Sequence, residues 1–273
     1  MKKLMTVLLF GLVTISLMAC GSKHTALSKS TDTTSSESEK SENKRKDTVA
    51  VKYEVGDIIL ADGSLIKEKD LSDVDDKNLP IAVIADVKED RLALGLGVHR
   101  SSSSLQWALN GTTGEQTKFT DIVCTLKDPD NEEADTVVFT GDTDGFNHWE
   151  SICAVDAKGT KNAKKNYPAF HFVNTYAETY KLTGDYASGW YMPSIAEVCA
   201  VYRNRETINR SLQKIYEKDP SAAMDGLGTN WYWSSSQSES QDDYAWFVHY
   251  FNGYVSDCPK NFTNLHVLAV RRF

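Results

Sequence analysis

The side chains best suited to chemistry in this chain gather near its C-terminal end. Phe247, His249 and Phe251 alternate along a strand-like run, and Asn252, Tyr254, Ser256, Asp257, Asn261, Phe262, Asn264 and His266 follow in turn-rich sequence. Aromatic rings interleaved with short polar groups suit recognition. The rings give rigid contact area at small entropic cost, and the hydroxyls and amides adapt their hydrogen bonds. These residues are the candidate ligand-binding set. Catalytic chemistry has no such concentration. Six histidines are scattered without an H-E-x-x-H pair, and neither a glycine-rich phosphate loop nor a G-x-S-x-G elbow occurs. Gly141-Asp142-Thr143-Asp144-Gly145-Phe146-Asn147 clusters oxygens, but a calcium loop needs a later glycine and a bidentate glutamate at its end. Asp and Asn turn bonds account for that stretch. The expectation is therefore a protein that recognises rather than turns over, with no catalytic residue, metal or cofactor.

Positioning such a surface requires strands. Trp231 to Ser236, Tyr244 to Asn252 and Leu265 to Phe273 read as three of them, with Gly253 as a bend. In the middle one, Trp246, Val248 and Tyr250 point one way, and Phe247, His249 and Phe251 the other. Either the strand is buried on both sides, or one aromatic face is left open. Upstream, Val55 to Leu60, Ile81 to Val87 and Arg91 to His99 also read as strands, the last two joined by a polar hairpin over 86–91. Residues 110–166 are loop-rich. Ala169, Val173, Tyr176, Ala177 and Tyr180 recur at helical spacing after Pro168, and Gly184 would end that helix. Ser194 and Glu197 have capping-box spacing ahead of Ile195, Val198 and Tyr202, and Ile208, Leu212 and Ile215 continue or restart that helix. Strands, two main helices, then strands make an α+β architecture with antiparallel sheets.

The N-terminal end carries an address. Lys2 and Lys3 precede an apolar run from Leu4 to Leu17, followed by Leu17-Met18-Ala19-Cys20. This is the layout of a secretory signal, and the run is short of the roughly 20 apolar residues of a membrane span. The ending resembles a lipobox, which implies a signal peptide over 1–19 and lipid on Cys20. Several acyl chains anchor stably where one does not. From there to residue 51 the sequence is Ser, Thr, Lys, Glu and Asp with almost no large apolar residue, the composition of a disordered tether. Its reach is roughly 30 Å. The remaining 52–273 suit one large domain. The formal charge of −8 disfavours nucleic acid. Expected partners are a membrane, through the lipid on Cys20, and an extracellular protein or glycan. The expected location is the cell envelope, at the outer membrane or cell surface. Cys124, Cys153, Cys199 and Cys258 are read as buried small residues, with one bridge left open.

Gly189-Trp190-Tyr191-Met192-Pro193-Ser194-Ile195-Ala196-Glu197-Val198 resembles the W-x-[LM]-P-S-x-x-E-[LV] signature of a bacterial C-type-lectin-like family. That family includes the Lcl-type C-terminal domains and is distantly similar to sulfatase-modifying factors. Trp231 to Ser236, Ala245-Trp246, Gly253, Lys260 and Ala269 to Phe273 resemble its end. The resemblance implies a C-type-lectin-like fold. A narrower resemblance is to variable lipoproteins of diversity-generating retroelements, in which a fixed frame carries codons mutated at adenines. It implies a variable region over 245–273. Ala245, Trp246, Val248, Gly253, Val255, Lys260, Val267, Ala269, Val270, Arg271 and Phe273 would be frame. The candidate set above, with Cys258, Leu265 and Leu268, would vary. None of these positions holds Met, Gln, Lys, Trp or Glu, which adenine mutation of AAC or AAT cannot produce. Two other readings stand beside ligand binding. One is a sulfatase-modifying-factor-like enzyme, for which only Cys258 lies in the comparable late segment. The other is a structural envelope lipoprotein whose aromatic strand is core.

Overall fold

The computed structural model describes residues 51–88 and 92–273. The signal segment, Cys20 and the tether lie outside the described residues, as do positions 89–91 of the expected hairpin. The described chain is mixed α+β with antiparallel sheets and several helices. The strands are β1 (Ile58–Leu60), β2 (Leu65–Ile66), β3 (Pro80–Val87), β4 (Ala93–Arg100), β5 (Val123–Leu126), β6 (Phe139–Gly141), β7 (Trp190–Tyr191), β8 (Trp231–Ser238), β9 (Tyr244–His249), β10 (Tyr254–Pro259) and β11 (Leu268–Arg272). They form a six-stranded sheet in the order β2-β1-β3-β4-β11-β7 and a five-stranded sheet in the order β10-β9-β8-β5-β6. All neighbours run antiparallel except β5 and β8.

Both sheets are covered on two sides, and this explains their apolar runs. In β3, Val83 and Ala85 enter one core cluster with Leu94, Leu96 and Val98, while Ala82 and Ile84 enter a second with Trp107 and Tyr176. A strand buried on both faces shows a continuous apolar run instead of alternation. Gly97 of β4 admits the Tyr176 ring, because a Cβ there would overlap its hydroxyl.

The helices are α1 (Thr113–Gln116), α2 (His148–Val155), α3 (Ala163–Asn166), α4 (Pro168–Asn174), α5 (Tyr176–Thr179), α6 (Ile195–Arg203) and α7 (Arg205–Lys218). The capping box forms as its spacing predicts. Glu197 N donates to Ser194 Oγ at 3.3 Å, and Ser194 N donates to Glu197 Oε2 at 3.0 Å. The helix restarts at Arg205 because Asn204 leaves helical geometry, and its Nδ2 donates to Ala85 O of β3 at 2.8 Å. α6 packs on β8 and β9, and α7 packs on β3.

Several boundaries differ from expectation. The helix after Pro168 breaks at Thr175 and stops before Gly184, with Lys181 in the left-handed region instead. The strand expected to reach Asn252 ends at His249, because Gly253 N folds back to His249 O at 2.8 Å. The last strand begins at Leu268, three residues late, since His266 instead forms a parallel bridge to Tyr232. The loop-rich 110–166 contain β5, β6 and α1 to α3. All four cysteines described are free thiols.

Candidate functional site

The candidate residues lie at one end of the five-stranded sheet. Register places Trp231 opposite His249 and Trp233 opposite Phe247, with Tyr254 and Ser256 on the far side of the same two residues. Directly opposed side chains share a face, so Trp231, Trp233, Phe247, His249, Tyr254 and Ser256 form one aromatic surface. Its inner part is closed. Phe247 is only 5% exposed, stacked beneath Trp231 with planes 5° apart and centroids at 5.2 Å, and edge-on to Trp233 at 6.4 Å. Trp233 is fully buried and donates Nε1–H to Leu105 O at 2.8 Å. Phe247 is therefore a correction to the expected binding set: it supports the surface from below. Of the two alternatives for this strand, burial holds at Phe247, because the rings of Trp231 and Trp233 on β8 pack against it.

The outer part is open. Phe251 is 72% exposed, Tyr254 41% and Phe262 40%. Ring contacts link Phe251 and Phe262 through His249 and Trp231, and Tyr254 pairs with His249 across the strands. His249 lies 5.9 Å from Phe251 and 4.8 Å from Trp231, and Trp231 lies 6.5 Å from Phe262. The Gly253 turn holds Phe251 at the tip. Gly253 has φ +76, and a Cβ would press on the Tyr202 ring, so this position requires glycine. Asn252 Oδ1 accepts from Tyr254 N at 3.2 Å, tightening the same turn.

The polar candidates divide by what they already bind. Asn252 and Asn264 are exposed, and Ser256 and Asp257 half-buried, with Asp257 taking a hydrogen bond from Ser240 Oγ. Asn261 serves the scaffold. Its Nδ2 donates to Glu115 Oε1 at 2.9 Å, and its carbonyl accepts from Gln106 Nε2 at 2.6 Å. His266 is likewise engaged: Nδ1 lies 3.0 Å from Ser101 O, a carbonyl that can only accept, so this nitrogen carries the proton. Asn261 and His266 thus each commit a polar atom to the scaffold while remaining half-buried. Both were read as free because they sit in polar, turn-rich sequence, and only long-range contacts reveal their partners.

Beneath the patch, the polar groups of the sheet are satisfied. Trp246 Nε1 donates to Cys124 O at 2.8 Å, Tyr250 Oη to Val198 O at 2.9 Å, and Ser234 Oγ to Trp246 O at 2.9 Å. Lys260 is fully buried, with Nζ donating to Thr117 O at 2.7 Å, Asp242 O at 2.8 Å and Gly114 O at 3.3 Å, between the rings of Trp107 and Phe119. Burial pushes its pKa down to about 7 against the pull of Asp243, Asp242 and Glu115. The outer edge of β10 is partly covered, since Val255 N donates to Glu132 O and Ala134 N to Gly253 O, each at 2.8 Å. Pro259 removes a donor from the remainder, which blunts the edge.

Sequence reasoning missed Trp231 as the centre of the patch. Its alternation with Trp233 was visible, but the register to His249 was not. It also missed a buried constellation. Ser235 Oγ lies 2.7 Å from His148 Nδ1, and His148 Nε2 lies 3.6 Å from Asp142 Oδ2. Ser235 and His148 are both buried, which denies a substrate access to the hydroxyl. Burial also pushes the Cys258 thiol up to about 12, away from thiolate chemistry. In the 141–147 loop, Asp142 and Asp144 each accept a backbone N–H two residues on, and Asp144 pairs with Arg272. Among the described residues no cluster of His, Cys, Asp and Glu is placed to hold a metal ion.

No family model and no curated protein matches the chain. Among solved structures, it is similar to the crystal structure of a fimbrial protein from Bacteroides ovatus ATCC 8483, with a TM-score of 0.54 and 14% identity. The match covers 81% of this chain and 49% of that one, so the chain spans about half the length of the structure it matches. At this identity the likeness is one of fold.

Proposed function

We propose that this chain is a lipid-anchored surface protein of the cell envelope. Its C-type-lectin-like domain binds an extracellular protein or glycan through the aromatic patch of Phe251, Tyr254, Phe262, His249 and Trp231. One observation carries the reading: three large aromatics, Phe251, Tyr254 and Phe262, stand exposed around His249 and Trp231 at a sheet end whose interior is packed. Contiguous exposed apolar area is costly on a soluble domain, and such patches mark interaction sites. Exposed rings on a rigid base have the character of binding hot spots. The fold likeness to a fimbrial protein agrees with an envelope setting. The W-x-M-P-S-x-x-E run around Trp190 to Glu197 and the pairing of early β4 with final β11 support the lectin-like assignment.

Diversification of 245–273 belongs to the same proposal. Of the frame positions, Ala245, Trp246, Val248, Gly253, Val255, Lys260, Val267, Ala269 and Val270 are buried, as a fixed scaffold requires, while Arg271 and Phe273 are half-buried. Phe247, Leu265 and Leu268 are buried as well, which favours counting them with the frame and leaves the exposed and half-buried positions as the variable set. The burial of Phe247 favours the structural reading for that residue alone.

The test has two arms. The full-length protein is screened against arrayed glycans and extracellular proteins, beside a variant carrying Phe251→Ala, Tyr254→Ala and Phe262→Ala. Ligand capture by the native chain and its loss in the variant is expected, with thermal stability kept because exposed positions alter it by about 0.5 kcal/mol each or less. Equal capture by both proteins overturns the assignment of the patch. For the anchor, Cys20→Ala is expected to release the protein from the membrane fraction and abolish fatty-acid labelling.

A further inference from the structure

A second recess lies in the six-stranded sheet, built from none of the residues of the aromatic patch. A cleft of about 310 Å³ opens between the start of β3, the end of β4 and residues 176–186. Its walls are rings. His99 and Tyr180 stack with centroids 3.9 Å apart and planes within 10°, Tyr176 lies 4.8 Å beyond Tyr180, and Tyr186 also lines the space. Burial holds His99 down to about 4, so this ring is a neutral wall near neutral pH. The Tyr176 hydroxyl is used by His99 N–H at 3.1 Å. Those of Tyr180 and Tyr186 form no hydrogen bond among the described residues, although both line the cleft.

The rim carries two lysines against one carboxylate. Lys77 and Lys181 line the cleft, and neither forms an ion pair among the described residues. The single carboxylate on the lining, Asp219, has Oδ1 occupied by Ser221 N and Oγ at 2.8 and 2.7 Å. A basic mouth is notable on a chain of net charge −8. Lys181 carries an independent mark: it is the one non-glycine residue with positive φ among those described, at +57°. It closes α5, with Lys181 N donating to Glu178 O at 3.2 Å and Leu182 N to Ala177 O at 2.8 Å. Glycine is the ordinary occupant of such a position, since a side chain there is strained. Strain of this kind gathers at functional sites, and here it sets a lysine at the mouth of a ring-lined cleft.

We propose that this cleft binds an acidic sugar, a pyranose ring bearing a carboxylate. The volume suits a small ligand. The apolar C–H face of the sugar lies on the tyrosine rings, its hydroxyls meet the free phenols of Tyr180 and Tyr186, and its carboxylate pairs with Lys181 and Lys77. A plain aromatic acid would fill the same space but leave those phenols unmatched, which costs affinity. The site is separate from the aromatic patch and stands or falls without it.

The experiment uses the full-length protein with glucuronate, N-acetylneuraminate, glucose and benzoate, read by saturation-transfer NMR and calorimetry. Both acidic sugars are expected to bind, with glucose and benzoate clearly weaker. Lys181→Gly is the discriminating variant. It removes the charge while relieving the left-handed strain, so the melting temperature should hold or rise while affinity for the acidic sugars falls about fivefold. Tyr180→Ala should also weaken binding, and the triple alanine variant of the aromatic patch should leave it unchanged. Failure of either acidic sugar to bind, benzoate binding as tightly as they do, or unchanged affinity in Lys181→Gly overturns the proposal. So does loss of sugar binding in the patch variant, which would place the sugar elsewhere.

Discussion

Two phenylalanines four positions apart, Phe247 and Phe251, show how much a residue's role depends on what lies over it. Both belong to the same alternating run. Phe247 is sandwiched by Trp231 and Trp233, while Phe251 stands on a turn with 72% of its surface in solvent. Truncating a buried phenylalanine loses its transfer energy and leaves a cavity, which costs about 3–5 kcal/mol. Phe247→Ala is therefore expected to lower the denaturant midpoint sharply, whereas Phe251→Ala should leave it nearly unchanged and act on binding alone. Equal stability losses in a urea titration would show that Phe251 is core. Lys260 makes a related point. It is long and fully buried, and three carbonyls and two ring faces receive its ammonium, but they offset the cost of burying that charge only in part, which is why its pKa falls to about 7.

At the scale of elements, α6 is held at its start by more than its own cap. Ser194 closes the box with Glu197, and its Oγ also donates to Thr143 O at 2.6 Å, tying the helix to the 141–147 loop. Glu197 accepts from Gly145 N at 3.1 Å and from Tyr191 Oη at 2.8 Å. The carboxylate is buried, and desolvation raises its pKa. Ser194→Ala removes a cap worth about 1 kcal/mol and strands the Thr143 carbonyl, so a loss at the upper end of the 0.5–2 kcal/mol capping range is expected. Equilibrium unfolding measures it, and a loss below 0.5 kcal/mol would mean that the loop finds another donor. α6 packs on β8 and β9, so this cap also steadies the two strands that carry Trp231 and His249.

For the molecule as a whole, buried histidines set the response to acid. Burial lowers the pKa of His148, whose Nε2 has no hydrogen-bond partner among the described residues, and brings His99 down to about 4. Both groups bind protons more readily in the unfolded chain, near the ordinary 6.5. Their contribution is therefore fully present above about pH 6.5 and is lost as pH falls, by at most about 1.4 kcal/mol per pH unit for each. Glu197, raised by burial, acts in the opposite sense, and one carboxyl offsets part of what two histidines lose. The melting temperature is expected to fall between pH 7.5 and 5, and the slope to flatten in a His99→Phe, His148→Asn variant. A flat profile for the native chain would count against this balance.

The sequence alone determined whatever depends on local spacing. The capping box at Ser194 and Glu197, the bend at Gly253, the apolar runs of β3 and β4 and the α+β order follow from backbone preferences and periodicity within a few residues. The turn-rich sequence after Gly253 made the exposure of Tyr254 and Phe262 legible, but alternation alone places Phe251 on a strand face shared with Phe247, and only the fold-back of Gly253 onto His249 set the two apart. The tertiary structure decided which polar and aromatic side chains were already taken. Asn261 is held by Glu115 and Gln106, His266 by Ser101, and Phe247 by Trp231, partners distant in sequence except for Trp231, sixteen positions away. Burial and hydrogen-bond satisfaction depend on contacts between distant segments, and no local pattern carries the register that brings those segments together.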